Sequence, residues 1–276
     1  MSDIALIAGK GKLPYYWAKN SAKNGIKPYI FNIAKDNSIS FKKYGKESFE
    51  VELGNIAKLF SLLHNYNVKK VVFAGKVEKN NIYELNMDKR MKKLLSNLAN
   101  YNDDTILRAI GAEFEKEGFE IIPQTEALAD LLVNHGKLNK IKVNEELLSE
   151  MEFSFINAVE IGKLDIGQTV LTKNKSVVAV EAMEGTDKTI LRTGEIAGKG
   201  AVMAKVAKEN QDLRFDIPTV GLKTIENLKK IKAKALVLEA NKTFIVNKED
   251  FLKEAEKANI SVWAVSYDSG GIKWEE

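Results

Sequence analysis

Short, wholly apolar runs alternate along this chain with stretches in which apolar positions recur every three or four residues, the first spacing suiting buried strands and the second amphipathic helices. The run Ile4-Ala5-Leu6-Ile7-Ala8 reads as a parallel strand buried on both faces and ending in a glycine turn at Gly9. Residues 13–24 continue as a helix, with Pro14 tolerated in its first turn and Gly25 closing it. Residues 27–33 read as a second strand, 56–66 as an amphipathic helix and 68–74 as a third strand ending at Gly75. Such βαβαβ alternation predicts a Rossmann-like open sheet, whose ligand crevice lies beyond the carboxyl ends of the strands.

Helical patterns follow over residues 87–99 and 103–117, then a short strand at 119–122, a helical piece at 125–132 and a break at Asn134-His135-Gly136. That break sets the expected boundary between a Rossmann-like N-terminal domain, 1–133, and a C-terminal α/β domain, 134–276. The second half reads as a helix over 144–163, a hairpin whose strands, 168–172 and 176–181, flank Lys173-Asn174-Lys175, a helix over 186–195 and a strand at 201–206. A helix at 222–231, strands at 235–239, 243–246 and 261–265, and a helix at 248–258 complete a second α/β domain with a mixed sheet.

Composition narrows the chemistry. The 276 residues suit two domains of ordinary size, and a net charge of +4 is too small to argue for nucleic-acid binding, although it suits an anionic small ligand or membrane surface. There is no cysteine, hence no disulfide framework or thiolate metal site, and only two histidines, His64 and His135, fall in separate halves, which argues against a histidine zinc site or a Ser-His-Asp triad. No apolar run approaches the roughly 18 residues of a membrane helix, and no leader is read at the start, so the expectation is a cytoplasmic protein at most peripheral to a bilayer. No Walker-type loop occurs, and the aromatic residues are not interleaved with basic ones as in single-strand binders.

Two clusters carry candidate chemistry. In Gln211-Asp212-Leu213-Arg214-Phe215-Asp216-Ile217-Pro218-Thr219, Pro218 biases Ile217 toward extended backbone, so Asp212, Arg214 and Asp216 are expected on one face of a strand-like segment. Carboxylate oxygens suit a hard divalent cation and a planar guanidinium suits phosphate oxygens, so the set matches a metal-bound phosphate ester or anhydride. The commoner meaning of an isolated Asp-x-Arg is a surface ion pair. In Glu184-Gly185-Thr186-Asp187 a glycine, a hydroxyl and a carboxylate meet where a helical pattern begins. Near the N-terminus, Gly9-Lys10-Gly11-Lys12-Leu13-Pro14 follows a strand and opens a helix, but the dinucleotide fingerprint lacks its third glycine and Asp36 is no clean ribose acid. Loop amides holding a phosphate, and a tight turn with no ligand, both fit it.

The runs Asp165-Ile166-Gly167-Gln168, Val180 through Asp187, Lys205 and Gln211 to Gly221 resemble in order and spacing the bacterial UDP-2,3-diacylglucosamine pyrophosphatases of the LpxI type. The N-terminal glycine loop and Asn102-Asp103-Asp104-Thr105 extend that resemblance, and Glu239-Ala240 adds to it, with Asn241 where the family has glycine. Asn tolerates the left-handed backbone that glycine would supply. The resemblance implies Mg²⁺-dependent hydrolysis of the diphosphate in UDP-2,3-diacylglucosamine on the lipid A pathway. It implies Asp216, Asp212 and Asp187 as metal-linked carboxylates, Arg214 and Lys205 as phosphate-binding cations, and substrate contacts from Gly9, Gly11, Leu13, Asp103, Asp104, Gln168, Glu181, Gly185, Thr186 and Thr219, with substrate between the domains. Capping of the helix at 103 is the commoner use of Asp103 and Asp104. A homodimer is the default oligomer. A noncatalytic nucleotide-sugar or lipid-binding protein and a nicotinamide-dependent oxidoreductase are the rival classes.

Overall fold

The computed structural model describes residues 3–34, 41, 43–77, 86–99, 101–268 and 271–274, with the side chains of Asp103 and Asp268 outside that description. Asp36 therefore lies outside the described residues, as does the carboxylate expected of Asp103. The chain divides into two compact units, Met1–Asp130 with Asp212–Asp216, and Leu131–Gln211 with Ile217–Glu276.

In the first unit, β1 (Asp3–Ala8), α1 (Leu13–Lys23), β2 (Tyr29–Asn32), β3 (Ser48–Glu50), α2 (Ile56–Asn65) and β4 (Val68–Ala74) follow one another, all but β3 as the apolar pattern requires. Then come α3 (Lys89–Ser96), α4 (Asp103–Lys116), β5 (Glu120–Ile121) and α5 (Thr125–Leu128), the last running into a 3-10 turn, Ala129–Leu131. The described strands form a parallel sheet in the order β3-β2-β1-β4-β5. Connections leave β1 in opposite directions across the sheet, which makes the gap between β1 and β4 the switch point of a Rossmann-like unit. Alternation along β1 sends Ala5 and Ile7 into a core shared with Phe31, Phe60, Val71, Phe114 and Phe119. Each isoleucine, valine or phenylalanine among them, once fully buried, contributes roughly 1.5–3 kcal/mol.

The second unit comprises β6 (Gly136–Lys137), α6 (Glu145–Lys163), β7 (Thr169–Lys173), β8 (Ser176–Val180), α7 (Thr186–Ala197), β9 (Val202–Lys205), β10 (Thr219–Val220), α8 (Leu222–Lys230), β11 (Ala235–Glu239), β12 (Phe244–Ile245), α9 (Lys248–Lys257), β13 (Ser261–Asp268) and β14 (Gly271–Lys273). Its main sheet runs β14-β13-β11-β9-β7-β8, with β9, β11 and β13 mutually parallel and β7 antiparallel to both neighbours. Period-two alternation splits each central strand between two cores: Val202, Ala204, Ala235, Val237, Trp263 and Val265 pack with Met151 and Phe155 of α6, whereas Met203, Leu236, Leu238, Val262 and Ala264 pack with residues of α7, α8 and α9. Helices thus cover both faces, and polar side chains are left to the strand ends.

Two expectations need correction. The break holds at Asn134 and His135, but Gly136, expected in it, begins strand β6, which pairs antiparallel with β13 while Gly136 takes φ 113°. Residues 212–216 are not strand-like either: the Asp212 carbonyl accepts from the Phe215 and Asp216 amides at 3.0 and 3.3 Å, and the Asp212 carboxylate accepts from the Arg214 amide at 3.0 Å. An aspartate opening a turn caps it with its own side chain, which outweighs the extended bias that Pro218 exerts on Ile217. Strands β3, β6, β10 and β14 are two or three residues long and exist because a partner edge is available, which local pattern does not reveal.

Candidate active site

At the carboxyl end of the second unit's parallel strands, Lys205 closes β9 and is buried to 2% exposure. Its ammonium donates to Thr169 Oγ1 and Thr186 Oγ1, both at 3.0 Å, and lies 3.4 Å from Glu181 Oε2. Glu181 follows β8 directly, accepts from the Thr186 hydroxyl at 2.8 Å and sends its amide to the Thr169 carbonyl at 2.8 Å. Burial works against its charge, but Lys205 beside it, with hydrogen bonds from Thr169, Thr186 and Lys205, holds Glu181 below the usual carboxylate range. The result is a desolvated ion pair whose remaining donors and acceptors meet hydroxyls, the condition under which such a pair is tolerated.

Glycine permits this packing at one point. A Cβ on Gly167 would stand 1.9 Å from the Glu181 carbonyl oxygen, so the loop before β7 can lie against the end of β8 only without a side chain there. Gln168, next to it, gives its carbonyl to the Val206 amide at 3.0 Å, and its buried Oε1 has no hydrogen-bond partner. Gly185 takes φ 80° at the N-cap of α7 and delivers Thr186 to the Lys205 ammonium. Glu184 receives the Arg192 guanidinium at 2.6 Å, and Arg192 also reaches the Val180 carbonyl at 3.1 Å, bracing the loop. Asp187 turns toward α8: its carboxylate accepts from buried Asn227 at 2.9 Å and pairs with Lys223 at 3.1 Å. Thr219, on β10, donates its hydroxyl to the Ile217 carbonyl at 2.8 Å.

Glu239, noted in the sequence only as part of the resemblance and given no role in the site, ends β11 on the same edge. It accepts the Ala207 amide at 2.8 Å and pairs with Lys242 at 2.6 Å, so it fixes the backbone just beyond Lys205. Its signal was the position at a predicted strand's carboxyl end. Asn241 beside it takes φ 59°, the left-handed conformation expected of it.

In the first unit the turn at 212–216 is seated by Phe215, which is 5% exposed and packs on Phe73 at a ring separation of 5.0 Å. Gly111 of α4 makes room for it, since a Cβ there would lie 2.5 Å from Phe215 Cζ. The Phe215 carbonyl accepts from buried Gln124 at 2.7 Å. Arg214 grips Asp212 through Nε and Nη2, the latter at 2.7 Å, and Glu115 through Nη1 at 2.9 Å, which raises its proton affinity further. Burial opposes it, yet Arg214 holds Asp212 below its ordinary range. Three of the five guanidinium N–H groups are thereby used and two remain for a ligand. Asp216 is exposed on the same turn.

The other N-terminal candidates are local. Gly9 and Gly75, at the ends of β1 and β4, abut so closely that a Cβ on either would meet the other's backbone within 2.9 Å, and Lys10 and Lys76 exchange backbone hydrogen bonds of 2.8 and 2.9 Å. Gly11 takes φ 101° with open space around it, and Leu13 begins α1. Asn102, not an aspartate, stands at the N-cap of α4, and Asp104 in the first turn is 5% exposed.

Among the described residues no three His, Asp or Glu side chains group in a way that could hold a metal by themselves. A magnesium ion carried on diphosphate oxygens needs only one or two protein carboxylates, because it keeps waters and substrate ligands. A hard oxygen donor such as Asp216 fits that substrate-borne role, whereas the two oxygens of Asp187, expected in it, are engaged by Asn227 and Lys223. Asp212, both of whose oxygens face Arg214, fits that of an orienting partner.

The fold is that of a two-unit α/β protein; the second unit buries a Lys205–Glu181 ion pair at its strand edge, and the first carries an Asp-Arg-Asp turn suited to anionic ligands. Residues 3–131 match the LpxI N-terminal domain and residues 134–263 the LpxI C-terminal domain. The chain belongs to the LpxI family. It is 32% identical over 276 residues, covering 96% of this chain and 98% of the relative, to UDP-2,3-diacylglucosamine pyrophosphatase LpxI of Caulobacter vibrioides. A chain in the crystal structure of the ADP complex of purK, N5-carboxyaminoimidazole ribonucleotide synthetase, matches over 78% of this chain and 71% of its own at 15% identity, with a TM-score of 0.24 that carries no argument.

Proposed function

We propose that this chain hydrolyses the diphosphate of UDP-2,3-diacylglucosamine to UMP and 2,3-diacylglucosamine 1-phosphate in lipid A biosynthesis, acting in the cytoplasm at the inner membrane. The observation that carries this reading is the identity to the Caulobacter enzyme across nearly the whole length of both chains. The site chemistry agrees with it. A dianionic diphosphate calls for fixed positive charge and directed N–H donors, and the two uncommitted N–H groups of Arg214 meet that demand. Lys205, locked by Thr169, Thr186 and Glu181, holds the Thr186 hydroxyl and the start of α7 in place beside Asp187. Asp216 accepts a proton from the attacking water or orients it.

Mg²⁺ is part of the proposal: a carboxylate such as Asp216 would hold it, and it would neutralise charge on the diphosphate and polarise phosphorus. The test is UMP release from UDP-2,3-diacylglucosamine with Mg²⁺, with chelator and after Mg²⁺ is restored, beside Asp216→Ala. Release that stops with chelator, returns with Mg²⁺ and falls roughly a hundredfold or more in the variant is expected. No release by the wild-type chain overturns the assignment, and full activity of Asp216→Ala removes that residue from the mechanism.

A further inference from the structure

Around the Lys205 site the second unit exposes apolar side chains that a polar substrate head does not need. Leu164 and Ile166 sit in the loop between α6 and β7, 67% and 50% exposed, and Met183, in the loop between β8 and α7, is 90% exposed. Tyr267, near the end of β13, is 39% exposed. These positions share one rim. The Glu181 amide bonds to the Thr169 carbonyl, and Gly167 lies against the Glu181 carbonyl, so the loops bearing Ile166 and Met183 meet. Gly162 of α6 approaches the backbone of Ala207 and Lys208 just past β9, where a Cβ would find atoms at 3.6 Å. Lys163 beside Leu164 holds its ammonium 5.9 Å from the Tyr267 ring. The rim is therefore the carboxyl end of the same strands that present Lys205 and Glu239.

We infer that this rim is the surface by which the protein rests on a phospholipid bilayer, with Leu164, Ile166 and Met183 entering the headgroup layer and Tyr267 and Lys163 at its boundary. The inference rests on the proposed diacyl substrate, whose chains keep it in a membrane, so that the strand ends bearing the polar site must approach that surface. Charge agrees. The rim's carboxylates are matched by cations, Asp165 by Lys208, Glu160 by Lys163, Glu184 by Arg192 and Glu239 by Lys242, each at 2.6 Å, so an anionic headgroup layer meets little repulsion. Glu209 also faces Lys163. Separate apolar loop tips beside a lysine and a tyrosine suit insertion among lipid headgroups better than the flat, continuous contact a second copy would require. No described helix is long and apolar enough to cross a membrane, so contact of this kind is interfacial.

The test is co-sedimentation of the full chain with vesicles of phosphatidylethanolamine and phosphatidylglycerol, without substrate, for wild type and for the triple variant Leu164→Ser, Ile166→Ser, Met183→Ser. Wild type binds, and the triple variant partitions roughly ten- to hundredfold less, as expected when three apolar side chains no longer enter the interface. It keeps the wild-type unfolding midpoint and the wild-type rate on detergent-dispersed substrate while slowing on vesicle-borne substrate. Independently, Met183→Trp shifts its emission to the blue with vesicles and is quenched by brominated lipid. Absence of vesicle binding by wild type, equal binding by the triple variant, or an unshifted Met183→Trp spectrum overturns the inference, as does a wild-type dimer that the triple variant dissociates without any vesicle binding, which assigns the rim to a second copy. No UMP from either substrate form, with vesicle binding still lost in the triple variant, overturns the hydrolase reading and supports the docking surface.

Discussion

Both units finish their parallel strands at a carboxyl edge, and they close it by opposite means. In the first, Gly9 and Gly75 bring two backbones into contact and Lys10 and Lys76 bridge them through main-chain hydrogen bonds, so no side chain fits at the junction. In the second, Lys205, Glu181, Thr169 and Thr186 fill the edge with paired polar groups. The first edge can offer a ligand the amides that follow, near Gly11, whereas the second presents ionisable groups whose state chemistry can use. The difference teaches that one layer architecture supplies a site through either its backbone or its side chains, depending on whether glycine or a buried ion pair occupies the strand ends.

The comparison breaks most visibly at Lys205. Lys205→Met leaves Glu181 buried without its countercharge and is expected to cost about 3–5 kcal/mol, read as a lowered denaturant midpoint, whereas Lys205→Met with Glu181→Leu regains most of the loss. Full stability of the single variant would mean that water reaches Glu181. A smaller cost, about 1–3 kcal/mol, is expected for Gly75→Ala, which meets φ 93° and backbone within 2.8 Å. Gly11→Ala, at φ 101° but with open space, costs less, about 1 kcal/mol. Equal costs would show that strain alone, and not the closed junction, governs the first edge.

The smallest effect is in acid. Glu181 and Asp212 both lie below their ordinary values of 4.5 and 3.8, so each contributes stability that is present above those values and is lost as pH falls through the folded-state value. Denaturant midpoints measured from neutral pH downward should therefore begin to fall below about pH 4.5, and Glu181→Gln should flatten the second unit's share. An unchanged profile in that variant would assign the acid sensitivity to the Asp212–Arg214 turn.

Much of the fold was legible because burial on both faces demands unbroken apolar strands: β4 and β11 fall at their expected bounds, and most helices within two residues of theirs. Gly185 and Thr186 were legible as a glycine and a hydroxyl opening a helix, whereas Lys205 and Glu181, which meet them, were named only through the family resemblance. Sequence alone thus determined which residues alternate into cores and where the glycine turns at Gly9 and Gly185 stand. Only the tertiary structure decided that residues 212–216 return to the first unit, where Phe215 fills the space left by Gly111, and that Arg214 is shared between Asp212 and Glu115. The reason is physical: period and turn propensity act over a few residues, whereas a side chain's partner is fixed by which distant surface has a cavity of its shape and a charge of opposite sign.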